Sequence, residues 1–197
     1  LAKKMGLPIN KLIVATNKND ILHRAISKGS YQAAKVFETI SPSMDIQIAS
    51  NFERLIYDLN NEDDSQTSLD MKNIKENGIY IINEEKLNKI SENFLSARMT
   101  ENETIEIINS VYKKFKVVLD PHTAIGYGAF DKHDLNGKNI VLGTAHPCKF
   151  PDAIHRAIKI KSDLPSDMMF ILNERENFDI IENEIEKVKQ HIMDRAQ

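Results

Sequence analysis

Short apolar runs alternate along this sequence with longer segments in which apolar residues recur every three to four positions. The runs are rich in β-branched residues, which is typical of buried strands; they cover residues 11–16, 78–83, 116–119 and 139–143. The helical spacing predicts helices over residues 21–28, 44–59, 84–97, from Thr100 onward and 178–196. The alternation predicts an α/β fold of three layers, with a mostly parallel sheet flanked by helices.

Local signals mark several helix ends. Gly29 follows the first helical segment as a C-terminal cap, and Thr100 with Glu103 forms a capping box. The polar, acidic residues 60–68 are predicted to be an exposed loop.

Composition excludes several classes of protein. The net charge of -3 and the lack of a basic run argue against a nucleic-acid binder. No apolar run approaches the roughly 20 residues of a membrane span. The single cysteine, Cys148, excludes an internal disulfide and fits the reducing cytoplasm. We therefore expect a soluble, cytoplasmic protein that handles small molecules or proteins.

The first residues indicate that the chain is part of something longer. Residues 1–5 have a helical pattern, but Gly6 and Pro8 are stop signals. This leaves little more than one helical turn, and an isolated helix that short is not stable. Residue 1 is also leucine rather than methionine. We expect earlier turns to have preceded Leu1 in a longer protein.

Three predicted strands are followed by polar clusters. The clusters are Thr16–Asn17, residues 120–123 and residues 144–149. Ligands of open α/β sheets lie beyond the carboxyl ends of the strands, so parallel strands would open all three clusters onto one rim. That rim is the candidate site.

Other interpretations of the clusters stay open. Asp120 and Pro121 can simply end a strand, and Thr123 can simply cap a helix. Asp120, His122 and His146 can be considered as zinc ligands, although no H-x-x-x-H or paired-cysteine spacing supports them. Cys148 with His146 is a further, nucleophilic alternative, although Pro147 between them disfavours direct contact.

The clusters and their flanks resemble the threonine synthase family. The motifs keep the family's order and spacing across roughly the first 160 residues; they occupy residues 2–9 (AKKMGLPI), 12–17 (LIVATN), 19–22 (NDIL), 41–46 (SPSMDI), 49–55 (ASNFERL), 120–126 (DPHTAIG) and 144–151 (TAHPCKFP). The pair SPSMDI and SNFER is long and specific.

The resemblance implies the tryptophan synthase β-like fold (fold type II) of pyridoxal-phosphate enzymes, with the N-terminal half absent. It implies that O-phosphohomoserine and water become L-threonine and phosphate, with pyridoxal 5'-phosphate as cofactor. The lysine that holds the cofactor as a Schiff base would precede residue 1, so no catalytic residue is assigned here and the chain alone is expected to be inactive. A truncated, non-catalytic binding fragment and a related β-replacing or eliminating enzyme are the alternatives.

The resemblance also suggests roles for the second wall of the site. Thr144, with Ala145 beside it, would meet the pyridine nitrogen of the cofactor. The substrate-binding candidates are Asn17, Ser41, Ser43, Asn51, Arg54, Asp120, His122, Thr123, His146 and Lys149. Asp20 and Asp45 can orient donors or only cap helices, and Arg54 can equally be a solvated helix residue. Residues 1–26 and 110–197 are expected to form layers near the cofactor, with a mostly helical segment over 27–109.

Overall fold

The computed structural model describes residues 2–133 and 135–196. The chain divides into two compact units, Leu1–Ser162 and Asp163–Gln197. All residues predicted to form the site lie in the first unit. No helix in the described ranges combines the length and the apolar character needed to cross a membrane.

The first unit contains two pairs of strands. The strands are β1 (Leu12–Thr16), β2 (Ser30–Gln32), β3 (Ile79–Ile81) and β4 (Phe94–Arg98). β1 and β4 run parallel, with Thr16 opposite Arg98, whereas β2 and β3 run antiparallel. The predicted strands near residues 11–16 and 78–83 are thus confirmed as β1 and β3.

Helices supply most of the remaining regular structure. In the first unit they are α1 (Ile21–Lys28), α2 (Phe52–Leu59), α3 (Asp64–Asn77), α4 (Glu84–Asn93), α5 (Glu101–Phe115), α6 (Pro121–Gly128) and α7 (Pro151–Ile158). The second unit contains a 3-10 segment, Ser166–Asn173, and α8 (Ile185–Arg195).

The predicted local caps are confirmed. Gly29 ends α1 with a φ of 68°, and its N–H binds the Ala25 carbonyl at 3.0 Å. Thr100 and Glu103 form the predicted capping box of α5. Both motifs depend on neighbours within a few residues, so the sequence pattern is enough to specify them.

Several predicted element boundaries are wrong. The helix predicted over 84–97 stops at Asn93, because the next residues pair with β1 as the strand β4. The helix predicted from residue 44 begins only at Phe52. The loop predicted over 60–68 already contains the start of α3, where the Asp63 side chain accepts from the Gln66 N–H at 2.9 Å. The closing helix begins at Ile185 rather than at residue 178.

Residues 116–119 and 139–143 do not form the predicted strands. Lys116 instead ends α5 in the left-handed region, with a φ of 58°. Ile140 and Leu142 are 79% and 76% exposed. A strand requires a hydrogen-bonded neighbour, and the described residues supply none to either segment. These segments therefore have the apolar pattern of strands but pair with no other strand among the described residues.

Two hydrophobic clusters hold the helices of the first unit together. The larger includes Ile21, Ile56 and Ile90, with the rings of Tyr31 and Phe52 stacked at 4.6 Å. The second joins α5, α6 and α7 through Ile108, Ala124, Ile154 and Ala157. α6 also contacts β1, so the N-terminus of α6 is held by packing on several elements.

Candidate functional site

The loop between residues 37 and 45 folds over the carboxyl end of β1. Asn17, which directly follows β1, is only 3% exposed. Its Nδ2 group lies 2.8 Å from Thr39 Oγ1, 2.9 Å from Ser41 Oγ and 2.7 Å from Asp45 Oδ1. These contacts bring the start of the SPSMDI motif to the first polar cluster predicted from the sequence.

The second polar cluster forms the N-terminus of α6. Asp120 caps this helix: Oδ1 accepts from the N–H of His122 at 2.9 Å and of Thr123 at 3.4 Å, and Oδ2 accepts from the Thr123 hydroxyl. Pro121 occupies the first helical position, where a missing N–H has no cost. The capping role considered for Thr123 thus belongs to Asp120, which is 1% exposed.

His122 connects this helix start to the SPSMDI motif. Its Nδ1 atom lies 3.0 Å from Asp120 Oδ1, and its Nε2 atom lies 3.3 Å from the backbone nitrogen of Ser43. A backbone N–H can only donate, so Nε2 accepts and Nδ1 carries the proton that is donated to Asp120. The two contacts together select the neutral Nδ1–H tautomer. The ring of Phe150 packs on the imidazole at a centroid distance of 4.8 Å.

The third polar cluster joins the second through Thr144. The Thr144 N–H donates to Thr123 Oγ1 at 3.2 Å. The Thr123 hydroxyl therefore accepts from Thr144 while it donates to Asp120. Thr144 itself is exposed, and its hydroxyl makes no hydrogen bond to any residue in the described ranges. The backbone of Thr144 is held in place while its side chain is left open; Ala145 follows it, half-buried.

His146 and Lys149 lie further along the same segment and are exposed. His146 Nδ1 accepts from the Cys148 N–H at 3.2 Å and so caps the short 3-10 turn Pro147–Lys149. Within the described ranges, no three His, Cys, Asp or Glu side chains are placed to hold a metal ion. The zinc alternative for Asp120, His122 and His146 therefore has no geometric support.

Asn51 and Arg54 line a different surface. They border an open cavity of about 660 Å³ between α2 and the start of α3, together with residues that include Glu53, Asp58 and Asp64. None of the residues that line this cavity belongs to the strand-end segments. Asn51 and Arg54 thus line a cavity that none of the other predicted site residues lines.

Seven of the predicted residues lie in two hydrogen-bonded sets that the Pro42–Met44 turn joins, and we call them together the strand-end cluster: Asn17, Ser41, Ser43, Asp120, His122, Thr123 and Thr144. Sequence reasoning missed Thr39 and Asn19 as members of its supporting network and left Asp45 undecided. Asn19 binds Asp45 Oδ1 at 2.9 Å and the Phe37 carbonyl at 2.8 Å. The position of Asn19 shortly after the end of β1 is the available signal, whereas Thr39 has none.

The carboxylates of the strand-end cluster and its support have an unusual electrostatic setting. Asp120 and Asp45 accept hydrogen bonds from neutral groups, and neither pairs with lysine or arginine among the described residues. The donors to these carboxylates are hydroxyl, amide, backbone N–H and imidazole groups. Polar groups of this kind can orient a ligand through hydrogen bonds.

Comparison with known proteins gives consistent results. The sequence model of the family described as "Threonine synthase, C-terminal" matches residues 123–192. Threonine synthase of Pseudomonas aeruginosa is 37% identical over 195 residues, which are 98% of this chain and 42% of that protein. Threonine synthase of Saccharomyces cerevisiae is 37% identical over 218 residues, with coverage of 97% and 42%.

Solved structures agree with the sequence comparisons. The PLP-bound threonine synthase from Brucella melitensis superimposes with a TM-score of 0.88 and 40% identity, over 100% of this chain and 42% of that chain. The yeast threonine synthase gives a TM-score of 0.82 and 36% identity, over 99% and 44%. The chain thus spans about two fifths of the length of the relatives it matches. The α/β fold is that of these proteins, and the chain belongs to the threonine synthase family.

Proposed function

We propose that this chain is the C-terminal part of an enzyme that converts O-phosphohomoserine and water to L-threonine and phosphate with pyridoxal 5'-phosphate. The observation that carries the proposal is the match to the PLP-bound Brucella protein along the entire chain, with a TM-score of 0.88 and 40% identity. The strand-end cluster lies in the segments that keep the family's motifs.

The chain's own residues fit one side of a cofactor site. The Thr144 hydroxyl is open, and its backbone is held by Thr123, so it would serve as the hydrogen-bonding partner of the pyridine nitrogen. A hydroxyl at that position favours a neutral ring nitrogen, whereas a carboxylate would favour a protonated one. When bound, the cofactor withdraws electrons from a carbanion, and the protein supplies position and charge.

The substrate carries a carboxylate and a phosphate, both of which need donors. Ser43, His146 and Lys149 are exposed and lie in the segments that form or flank the strand-end cluster. We propose that these residues contact the substrate. Asp120 makes all of its observed contacts within the cluster, so its proposed part is to orient His122 and Thr123. Arg54 and Asn51 would act from the separate cavity beside α2.

The experiment is a phosphate-release assay with O-phosphohomoserine on a protein that joins this chain to the preceding part of a family member. We expect threonine formation there and none from the 197-residue chain alone. Thr144→Ala should lower kcat by about tenfold or more, because a tuned electrostatic partner is lost. Thr144→Ser should retain most of the activity, and Thr100→Ala, at a helix cap, is the matched control.

Three results would contradict parts of the proposal. Unchanged kinetics in Thr144→Ala would remove this residue from the cofactor site. Turnover of a different amino-acid substrate, without threonine formation, would assign the chain to a related β-replacing or eliminating enzyme. A borohydride-fixed cofactor on a lysine of the 197-residue chain would show that this chain holds the cofactor by itself.

A further inference from the structure

Asp45 is the centre of the hydrogen bonds that hold the loop over β1. Its Oδ1 atom accepts from Asn17 Nδ2 at 2.7 Å, Asn19 Nδ2 at 2.9 Å and Thr39 Oγ1 at 2.7 Å. Its Oδ2 atom accepts from the Thr39 N–H at 2.8 Å. One carboxylate therefore joins the two asparagines that follow β1 to the loop that precedes the SPSMDI turn.

The donors around Asp45 are all neutral. No lysine, arginine or histidine forms an ion pair with this carboxylate in the part of the chain that the structure describes. Four hydrogen bonds from neutral groups thus surround this carboxyl group, and both of its oxygens act as acceptors.

Asp45 also ends the 3-10 turn Pro42–Met44. Its N–H donates to the Pro42 carbonyl at 3.0 Å, and the Met44 N–H donates to the Ser41 carbonyl at 2.9 Å. Ser41 at the other end of the turn accepts from Asn17 Nδ2 at 2.9 Å. Both ends of the turn are therefore anchored to the same asparagine, directly or through Asp45, which determines where the Ser43 N–H points.

The Ser43 N–H is the group that meets His122 Nε2, at 3.3 Å. We propose that Asp45 is a positioning residue: through the Pro42–Met44 turn it holds this N–H on the imidazole and so selects the Nδ1–H tautomer of His122. The link from this tautomer to catalysis rests on the proposed function, but the tautomer itself does not. The structure thus connects the end of β1 to the N-terminus of α6 through one carboxylate.

The test uses the full 197-residue chain and ¹⁵N NMR of the histidine rings, which distinguishes protonated from unprotonated ring nitrogens. In Asp45→Asn, an NH₂ group faces either the donors on Oδ1 or the Thr39 N–H, so the loop must release part of its contacts. We expect His122 to become a mixture of tautomers. Amide exchange at Ser43 and Thr39 should accelerate by about tenfold or more, as local opening becomes easier.

Asp70→Asn is the matched control. Asp70 likewise accepts hydrogen bonds from several side chains, those of Asn60, Gln66 and Tyr80, but none of these residues hydrogen-bonds to His122. We expect this variant to lose stability while the His122 spectrum and the Ser43 exchange stay unchanged. If Asp45→Asn does not fold, Thr39→Val removes one donor from Asp45 at nearly constant shape and should give the same changes at smaller amplitude.

The outcomes separate the alternatives. If His122 retains the Nδ1–H form in Asp45→Asn, or in Thr39→Val when that variant must replace it, the positioning role is wrong. An equal change in Asp70→Asn would reduce the effect to general loss of stability and would also overturn the inference. Because the spectrum needs neither cofactor nor substrate, it can support the positioning role even if the assay contradicts the proposed function.

Discussion

Two networks in this protein are built around buried carboxylates, and they balance the negative charge differently. In the strand-end cluster, Asp120 accepts from the backbone and side chains of His122 and Thr123, all of them neutral donors. In the other network, Asp70 accepts from Asn60 at 3.0 Å and Tyr80 at 3.2 Å, while Lys86 Nζ lies 3.8 Å away. We call this second group the Asp70 network.

The Asp70 network is closed and charge-balanced. Lys86 donates to Asn60 Oδ1 at 2.6 Å and to the Tyr80 hydroxyl at 3.2 Å, so both neutral partners of Asp70 also bind the lysine. These contacts connect the end of α2, α3, β3 and α4. No member of the network belongs to the strand-end cluster.

In the strand-end cluster, the buried charge of Asp120 is stabilised without a cation. A buried carboxylate without a cation depends on hydrogen bonds and, for Asp120, on the N-terminal dipole of α6. Proteins retain such costly arrangements mainly at functional sites. The two carboxylate networks therefore differ in one property that needs no ligand to be seen: Asp70 has a lysine partner, and Asp120 has none among the described residues.

The largest expected effect is that of Asp120→Ala. The substitution removes the cap of α6 and leaves buried donors of His122 and Thr123 without an acceptor. We expect the free energy of unfolding to fall by about 3 kcal/mol, from the lost cap and the unpaired groups together. Denaturant unfolding measures it. Asp120→Asn, which keeps one capping oxygen, should lose clearly less; equal losses would mean that capping does not explain the stability.

Lys86→Met tests whether the cation matters to the Asp70 network. In this variant Asp70 accepts hydrogen bonds only from neutral donors, as Asp120 does in the native protein. We expect a loss of about 2 kcal/mol in the free energy of unfolding, because a half-buried charge loses its partner. Lys89→Met, which removes the exposed ion pair with Glu85, is the control and should change stability little. A loss no larger than the control's would contradict the proposed charge balance.

Tyr80→Phe gives the smallest effect and a distinct pH dependence. Burial, followed by the charge of Asp70 and the hydrogen bond to it, raises the pKa of Tyr80. The unfolded chain therefore releases this proton first, and the stability contributed by the neutral hydroxyl is lost as the pH rises above about 10. We expect the wild type to exceed the variant by about 1 kcal/mol at pH 8.

The measurement for Tyr80 is urea unfolding of both proteins between pH 8 and pH 11. The advantage of the wild type should shrink across the upper part of this range. Tyr57→Phe is the control, since Tyr57 lies on the surface and contributes no such network. A constant difference between the Tyr80 variant and the wild type at every pH would contradict the coupling to Asp70.

The structure brings together the three polar clusters expected from the strand ends, but not by the expected route. Asn17 does follow a parallel strand, whereas Asp120 and Thr144 follow segments that form no ladder in the described ranges. Hydrogen bonds make the connection instead. Asn17 bonds Ser41 at one end of the Pro42–Met44 turn, the Ser43 N–H in that turn donates to His122, and Asp120 accepts from both His122 and Thr123. The three clusters thus lie close together, although only the first of them follows a strand in the described ranges.

The wrong predictions concern contacts that are distant in the sequence. The helical spacing over residues 84–97 predicts a helix through most of β4. Only pairing with β1, about 80 positions earlier, makes this segment a strand. Helical and strand patterns are ambiguous over short segments until a partner is known.

Local features can be predicted from the sequence alone: the capping box at Thr100, the glycine end of α1, β1 as a strand and the motifs that resemble the threonine synthase family. These features depend on neighbouring residues or on the order of residue types, both of which can be read along a chain. Two other features become visible only in the tertiary structure: Asp45 joins the end of β1 to the SPSMDI turn, and the contacts of His122 select its Nδ1–H form. Those outcomes require donors and acceptors from distant segments to meet at hydrogen-bond distance, and no local pattern encodes that meeting.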